Sequence, residues 1–160
     1  KPVYWSTRSI EQQPYVKSLN GMSKSNEFSK RNVVWNMNHV TNDCDMVICE
    51  GVFNAITCNQ KNYVGIATFG KSITDDQVRL MRDLNPKHYL LFLDNDAKKQ
   101  QAELYQRLIS VGVANDKIRL VENPYNTQDA NDLGKEKSLE LLDDARPITL
   151  YNLIEMRLKQ

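Results

Sequence analysis

A chain of 160 residues with 41% hydrophobic and 26% charged side chains fits one globular domain, or one with a small appendage, and can bury a real core. The formal net charge of +1 excludes nucleic-acid binding driven by global charge and leaves that role to a local patch. No apolar run approaches the roughly 20 residues that span a bilayer, and no apolar core follows the first residues to make a signal peptide.

The chain opens on Lys1 without an initiator Met. The expectation is a fragment excised from a longer protein, with a processed N-terminus as the alternative. Cys44, Cys49 and Cys58 are odd in number and lack a repeated C-x-x-C spacing, so reduced thiols are expected rather than a disulfide framework or a zinc ribbon. His39 and His88 are isolated, and no zinc site is expected in this chain.

In chain order, the stretch to about Thr41 is polar and irregular, with one alternating piece from Val3 to Ile10 that reads as a strand. Asn20-Gly21 marks a turn. The pattern then becomes regular. Met46 to Cys49 is a short apolar run of the kind covered on both faces of a sheet. It ends at Glu50-Gly51, and a helix begins at Val52. Tyr63 to Ala67 is the next strand. Thr74-Asp75-Asp76-Gln77 opens a helix with a capping box, Val78, Leu80, Met81 and Leu84 form its apolar stripe, and Asn85-Pro86 ends it. Tyr89 to Leu93 is the strongest strand and runs into Asp94-Asn95-Asp96. A helix from about Lys98 to Val111 follows, with Ala102, Tyr105, Leu108 and Ile109 inward and Gly112 as its stop. Ile118 to Val121 is a further strand. A polar loop from Glu122 to Asp132 precedes two final helices, Lys135 to Leu142 and Ile148 to Leu158, separated by Pro147.

Strands alternating with helices imply a mainly parallel sheet of about four strands with helices on both faces, preceded by a small β-rich or extended segment. Ligands collect beyond the carboxyl ends of such strands. Two strands end there in acids, one at Glu50 and one at Asp94, and Asp96 lies two residues on. If the strands are neighbours, three carboxylates converge, and a hard divalent cation resolves their repulsion. Each acid has a plainer reading, Glu50 as a turn or helix-start residue and Asp94-Asn95-Asp96 as a helix cap. Their combination carries the metal reading, with a third acidic loop at Gln128 to Asp132. The loop Ala67 to Ser72 lies between a strand and a helix start, where backbone amides and Lys71 could meet a phosphate, although P-loop spacing is absent.

The ordered set Val47-Ile48-Cys49-Glu50-Gly51, Ala67-Thr68-Phe69-Gly70, Leu93-Asp94-Asn95-Asp96-Ala97 and Asp129-Ala130-Asn131-Asp132-Leu133 resembles the TOPRIM domain, in the variety of bacterial and bacteriophage DNA primases. The resemblance runs from about Asp45 to Leu133. It extends upstream, where Trp5 to Ile10 and Tyr15 to Asn20 are similar to segments that precede TOPRIM in phage-type primases.

That resemblance implies a TOPRIM-like (Rossmann-like) α/β fold, divided as an N-terminal segment of the primase RNA-polymerase core at 1–42, the TOPRIM domain at 43–134 and C-terminal helices at 135–160. It implies synthesis of short RNA primers on a single-stranded DNA template from nucleoside triphosphates, with a replicative helicase as a further partner. The location implied is the cytoplasm of a bacterium or a phage-infected host. Glu50 is expected to be catalytic and metal-linked, Asp94 and Asp96 to bind Mg²⁺ or Mn²⁺, and Asp129 to add an acidic contact. Arg8, Lys17, Asn20, Lys71 and Lys98 are the expected nucleotide or template contacts. Lys17, Lys24, Lys30 and Arg31, with Tyr4, Trp5 and Trp35 interleaved, offer a patch for a single strand.

Three positions depart from the family pattern. Asn54 stands where the family has a second acid, Lys98-Lys99 replaces a small Ala-Gly pair, and Gln128 replaces a Lys. A weaker second metal site is expected. The alternatives are a TOPRIM nuclease and a non-catalytic module that binds nucleic acid or a replisome partner; a topoisomerase would need a separate domain for its nucleophilic Tyr.

Overall fold

The apolar runs form a parallel sheet because their side chains alternate between two faces, and both faces are covered. The computed structural model describes residues 5–10, 15, 18–20, 29–125 and 128–158. At the start of the chain, β1 (Ser6–Arg8) and β2 (Ser18–Asn20) pair antiparallel, with Ser6 opposite Asn20. Val3, Tyr4, the Gly21 half of the turn, Lys17 and Lys24 lie outside the described residues, as do the side chains of Arg8 and Asn20.

The main sheet contains β3 (Asp45–Cys49), β4 (Tyr63–Ala67), β5 (His88–Leu91), β6 (Ile118–Leu120) and β7 (Arg146–Pro147). Their order is β4-β3-β5-β6-β7; the first four are parallel and β7 is antiparallel. The crossovers are α1 (Val52–Cys58), α2 (Asp75–Leu84), α3 (Lys98–Ser110) and α4 (Ala130–Asp143), and α5 (Leu150–Leu158) follows β7. Met46 and Ile48 of β3 enter one core with Val78, Met81, Leu104 and Leu108 of α2 and α3. Val47 and Cys49, pointing the other way, enter a second core with Ala55 and Cys58 of α1 and Leu142 of α4. The α1 backbone lies so close to β4 that a Cβ on Gly65 would fall 1.9 Å from the Ala55 carbonyl oxygen. Only glycine fits there. Among the described residues, no helix is long and apolar enough to cross a membrane.

From β3 the chain steps to β4 on one side and returns to β5 on the other. The carboxyl ends of β3 and β5 therefore flank a topological switch point, where a crevice opens between diverging crossovers. The neighbourhood of the two acid-ending strands, left conditional by sequence, is met: Ile48 pairs with Leu91.

Several local expectations are corrected. In α3 Ala102 and Leu108 are buried and Tyr105 packs against the core as expected, Gln101 and Leu104 join them, and Ile109 faces solvent instead. Buried Gln101 donates its amide nitrogen to the carbonyl of Leu91, in the last β5–β6 pair, at 2.9 Å. The fourth helix begins at Ala130 rather than Lys135, because Asp129 and Asp132 cap it reciprocally. Gly134, at φ 76°, then interrupts it where the expected helix was to start. The two-residue strand β7 was not anticipated; Pro147 can occupy it only because it lies at the sheet edge.

Candidate metal centre

Glu50 follows the last residue of β3 and is buried, with only 7% of its surface exposed. Its Oε1 accepts from the backbone N–H of Asp94 at 3.3 Å, which ties the end of β3 to the loop after β5. Burial, with the Asp94 charge as second cause, pushes the Glu50 carboxyl up to about 7. Asp94 is raised as well, first by burial and then by the charges of Asp129 and Asp96. Asp96, two residues on, is exposed and ion-paired with Lys71 of the β4–α2 loop. Oxygens of Glu50, Asp94 and Asp96 all lie within 4.8 Å of one another.

This donor set fits a hard divalent cation. It offers oxygen ligands alone, and two of its acids are held where their charged form is disfavoured, which a bound cation would reverse. Lys71 is ion-paired with Asp96, the exposed member of the group.

Asp129 lines the same cleft but lies outside the three converging acids, because its carboxylate accepts the Asp132 amide at 2.9 Å as the cap of α4. Asn54, buried on α1, donates through Nδ2 to Asp94 Oδ1 at 3.2 Å, and its Oδ1 accepts from the Asn131 amide at 3.2 Å. The Asn131 N–H fixes which way the amide points. Asn54 therefore positions Asp94 and ties α1 to α4, with one lone pair of its oxygen engaged by Asn131.

The β4–α2 loop is held by a residue that sequence reading used only as a helix cap. Gln77 is fully buried, and its amide nitrogen lies within hydrogen-bond distance of the carbonyls of Thr68 (3.0 Å), Val33 (2.9 Å) and Lys30 (2.9 Å). Thr68 in turn donates its backbone N–H to Cys49 at 3.1 Å, beside Glu50. A fully buried Gln in a first turn carries no sequence signal beyond the capping box itself. Lys98, at the start of α3, lines a neighbouring cleft with Asp96, Glu122 and Glu155. Lys30 and Arg31 are exposed, but Trp35 packs against the second core and pairs with Ala67, so it leaves the expected single-strand patch.

The cleft that contains Glu50, Asp94 and Asp129 has a volume of about 680 Å³. Thr7, Ser9 and Ile10 of the upstream segment line it, so the segment before the sheet reaches the acidic end. His88 is no ligand of this group: its Nδ1 meets Asp45 at 2.6 Å, at the opposite end of the sheet.

No curated protein matches this sequence significantly. Solved structures do match in fold. The E. coli primase catalytic core superposes with a TM-score of 0.73 at 17% identity, over 98% of this chain and 52% of the other. The DnaG primase catalytic domain bound to single-stranded DNA gives 0.73 at 18%, over 98% and 51%. The Aquifex aeolicus primase, with its zinc-binding and RNA polymerase domains, gives 0.71 at 19%, over 91% and 38%. This chain thus spans 38–52% of the length of those proteins. A Toprim-like family model matches residues 47–134, more than half of the chain. With its acids at the switch point of a sheet built as in primase catalytic cores, the chain belongs to the Toprim-like family.

Proposed function

We propose that this chain is the catalytic TOPRIM part of a DNA primase, making short RNA primers on single-stranded DNA by metal-dependent nucleotidyl transfer. One observation carries the reading: the oxygens of Glu50, Asp94 and Asp96 meet within 4.8 Å at the switch point of a primase-core fold. We assign 1–42 to the N-terminal segment of the polymerase core, 43–134 to TOPRIM and 135–160 to C-terminal helices, a boundary that falls at the Gly134 kink of α4. Single-stranded DNA and nucleoside triphosphates are the proposed substrates, a replicative helicase the proposed partner, and the bacterial or phage-infected cytoplasm the proposed location.

Mg²⁺ or Mn²⁺, held by Glu50, Asp94 and Asp96, would supply counter-charge to the phosphates and to the attacking and leaving oxygens. The chain's own groups do the rest. The Asp94 amide orients Glu50, which is the group placed to accept a proton from an attacking 3′-hydroxyl. Asn54 holds Asp94 in place. Lys71 neutralises Asp96 and is positioned to transfer its contact to a substrate phosphate. Asp129 adds negative potential beside Asp94. Arg8, Lys17, Asn20 and Lys98 are the proposed nucleotide and template contacts. Because the Asn54 oxygen is engaged with Asn131, a second cation would depend mainly on substrate phosphates.

One observation favours a second reading, a metal-binding TOPRIM module without turnover: both ends of Asn54 are hydrogen-bonded where the family pattern has an acid. The test is incubation of the chain, within its full-length parent, with single-stranded DNA, labelled nucleoside triphosphates and Mg²⁺ or Mn²⁺. Template-dependent short RNA that falls roughly 10²–10⁴-fold in Glu50→Gln supports primase action. Degraded DNA instead establishes the nuclease alternative. Metal binding with neither product supports the non-catalytic module.

A further inference from the structure

The acids make up only part of their cleft. Much of the remaining lining is apolar: Phe53, Phe69, Val52 and Ile10. Phe53 sits in the first turn of α1, where Asn54, Ala55, Thr57 and Cys58 turn inward, and half of its surface (50%) stays exposed at the cleft. Phe69 comes from the other side of the Glu50 strand end, in the loop after β4. Its φ is 62°, in the left-handed region that a bulky side chain rarely adopts, and Gly70 follows at 141°. Backbone of this kind is kept where a side chain must be delivered to a particular place. Here it delivers an aromatic ring to the cleft that Glu50 and Asp94 also line.

A cleft with an acidic part and an aromatic part suits a ligand that is anionic at one end and flat at the other. A volume of about 680 Å³ admits one nucleotide-sized group. Thr7, Ser9 and Asn131 add polar atoms to the lining. We propose that Phe53 and Phe69 form a stacking platform for the base of the nucleotide whose phosphate the acidic group holds through its cation. This rests on the nucleotidyl-transfer reading and specifies which part of the substrate the apolar lining takes. Because every base has a π-face, the platform accepts any base and confers little sequence preference.

The test uses the 160-residue chain and a single-stranded oligodeoxynucleotide carrying 2-aminopurine, with Ca²⁺ to hold phosphates without turnover. Stacking quenches the probe. Wild-type chain and Phe53→Tyr quench it; Phe53→Leu and Phe69→Leu each lose the quench and bind about tenfold more weakly, ~1.4 kcal/mol. Leu keeps the apolar volume, so unchanged thermal melting shows that the variants remain folded. Unaltered quench and affinity in both Leu variants overturn the platform, as does a wild-type chain that binds without quenching. The two readings fail separately: primer synthesis with a quench indifferent to both rings removes the platform alone. A ring-dependent quench without synthesis supports the platform and removes nucleotidyl transfer.

Discussion

The two ends of the parallel sheet use similar side chains in opposite ways. At the amino end, Asp45 of β3 accepts from His88 Nδ1 at 2.6 Å, and His88 Nε2 lies 3.2 Å from an Arg119 nitrogen. A guanidinium only donates, so Nε2 accepts and the imidazole is the Nδ1–H tautomer. Tyr63 donates to Asp143 at 2.7 Å nearby. Asp45 and Asp143 each face a side-chain donor and no second acid in these contacts. At the carboxyl end of the same strands, Glu50 and Asp94 face each other and Asp96, and among these three it is exposed Asp96 that pairs with Lys71. One end is complete as folded, whereas the other gains most from something added.

That difference is open to attack from either end. The largest effect expected is from metal. Mn²⁺ at about a hundred times its dissociation constant should stabilise the chain by ~2.7 kcal/mol, seen as a rise in melting temperature that Asp94→Ala abolishes. Equal stabilisation in that variant would place the cation elsewhere. A smaller effect is expected at the amino end. Asp45→Asn should cost roughly 1–3 kcal/mol in urea denaturation, less than a fully buried pair because both partners keep 19% of their side-chain surface exposed. By contrast, Glu50→Gln should leave the metal-free chain as stable or more stable, since it removes a carboxylate crowded by Asp94. If both acid-to-amide changes destabilise alike, the contrast between the ends is wrong.

A further effect is in pH. The folded Glu50 carboxyl titrates at about 7 against an ordinary 4.5, so between those values the folded chain holds more protons than the unfolded one. Its contribution to stability is therefore greatest below about 4.5 and is lost as pH rises through about 7. In chelator, the melting temperature of wild type relative to Glu50→Gln should fall by about 5–10 °C across that window. Saturating Mn²⁺ should remove the fall. A rise instead would mean that Lys71 outweighs burial at this carboxyl.

Much of this site was legible because its acids sit at the ends of apolar runs. Those runs are set by the demand that both faces of β3 and β5 be buried, so their ends could be read to within two residues, and Glu50 and Asp94 with them. The capping box of α2 was legible for a similar reason, since Thr74 and Gln77 are close in sequence and their bonds are local. The same local chemistry was overlooked at Asp129 and Asp132, where two acids cap each other in place of the usual hydroxyl and Glu.

What the sequence determined by itself was therefore what local periodicity and adjacency control: the alternation of strand and helix, the acidic strand ends and the family pattern around them. Tertiary structure alone decided which strands became neighbours, and so whether Glu50 met Asp94 and Asp96 at all. It also decided that the Asn54 oxygen meets the Asn131 amide, that the Gln77 amide lies among the carbonyls of Lys30, Val33 and Thr68, and that Phe53 and Phe69 share a cleft with Glu50 and Asp94. The physical reason is the same in each case. A hydrogen bond or a cleft between residues far apart in the chain depends on strand order and crossover path, and no short window of sequence contains those.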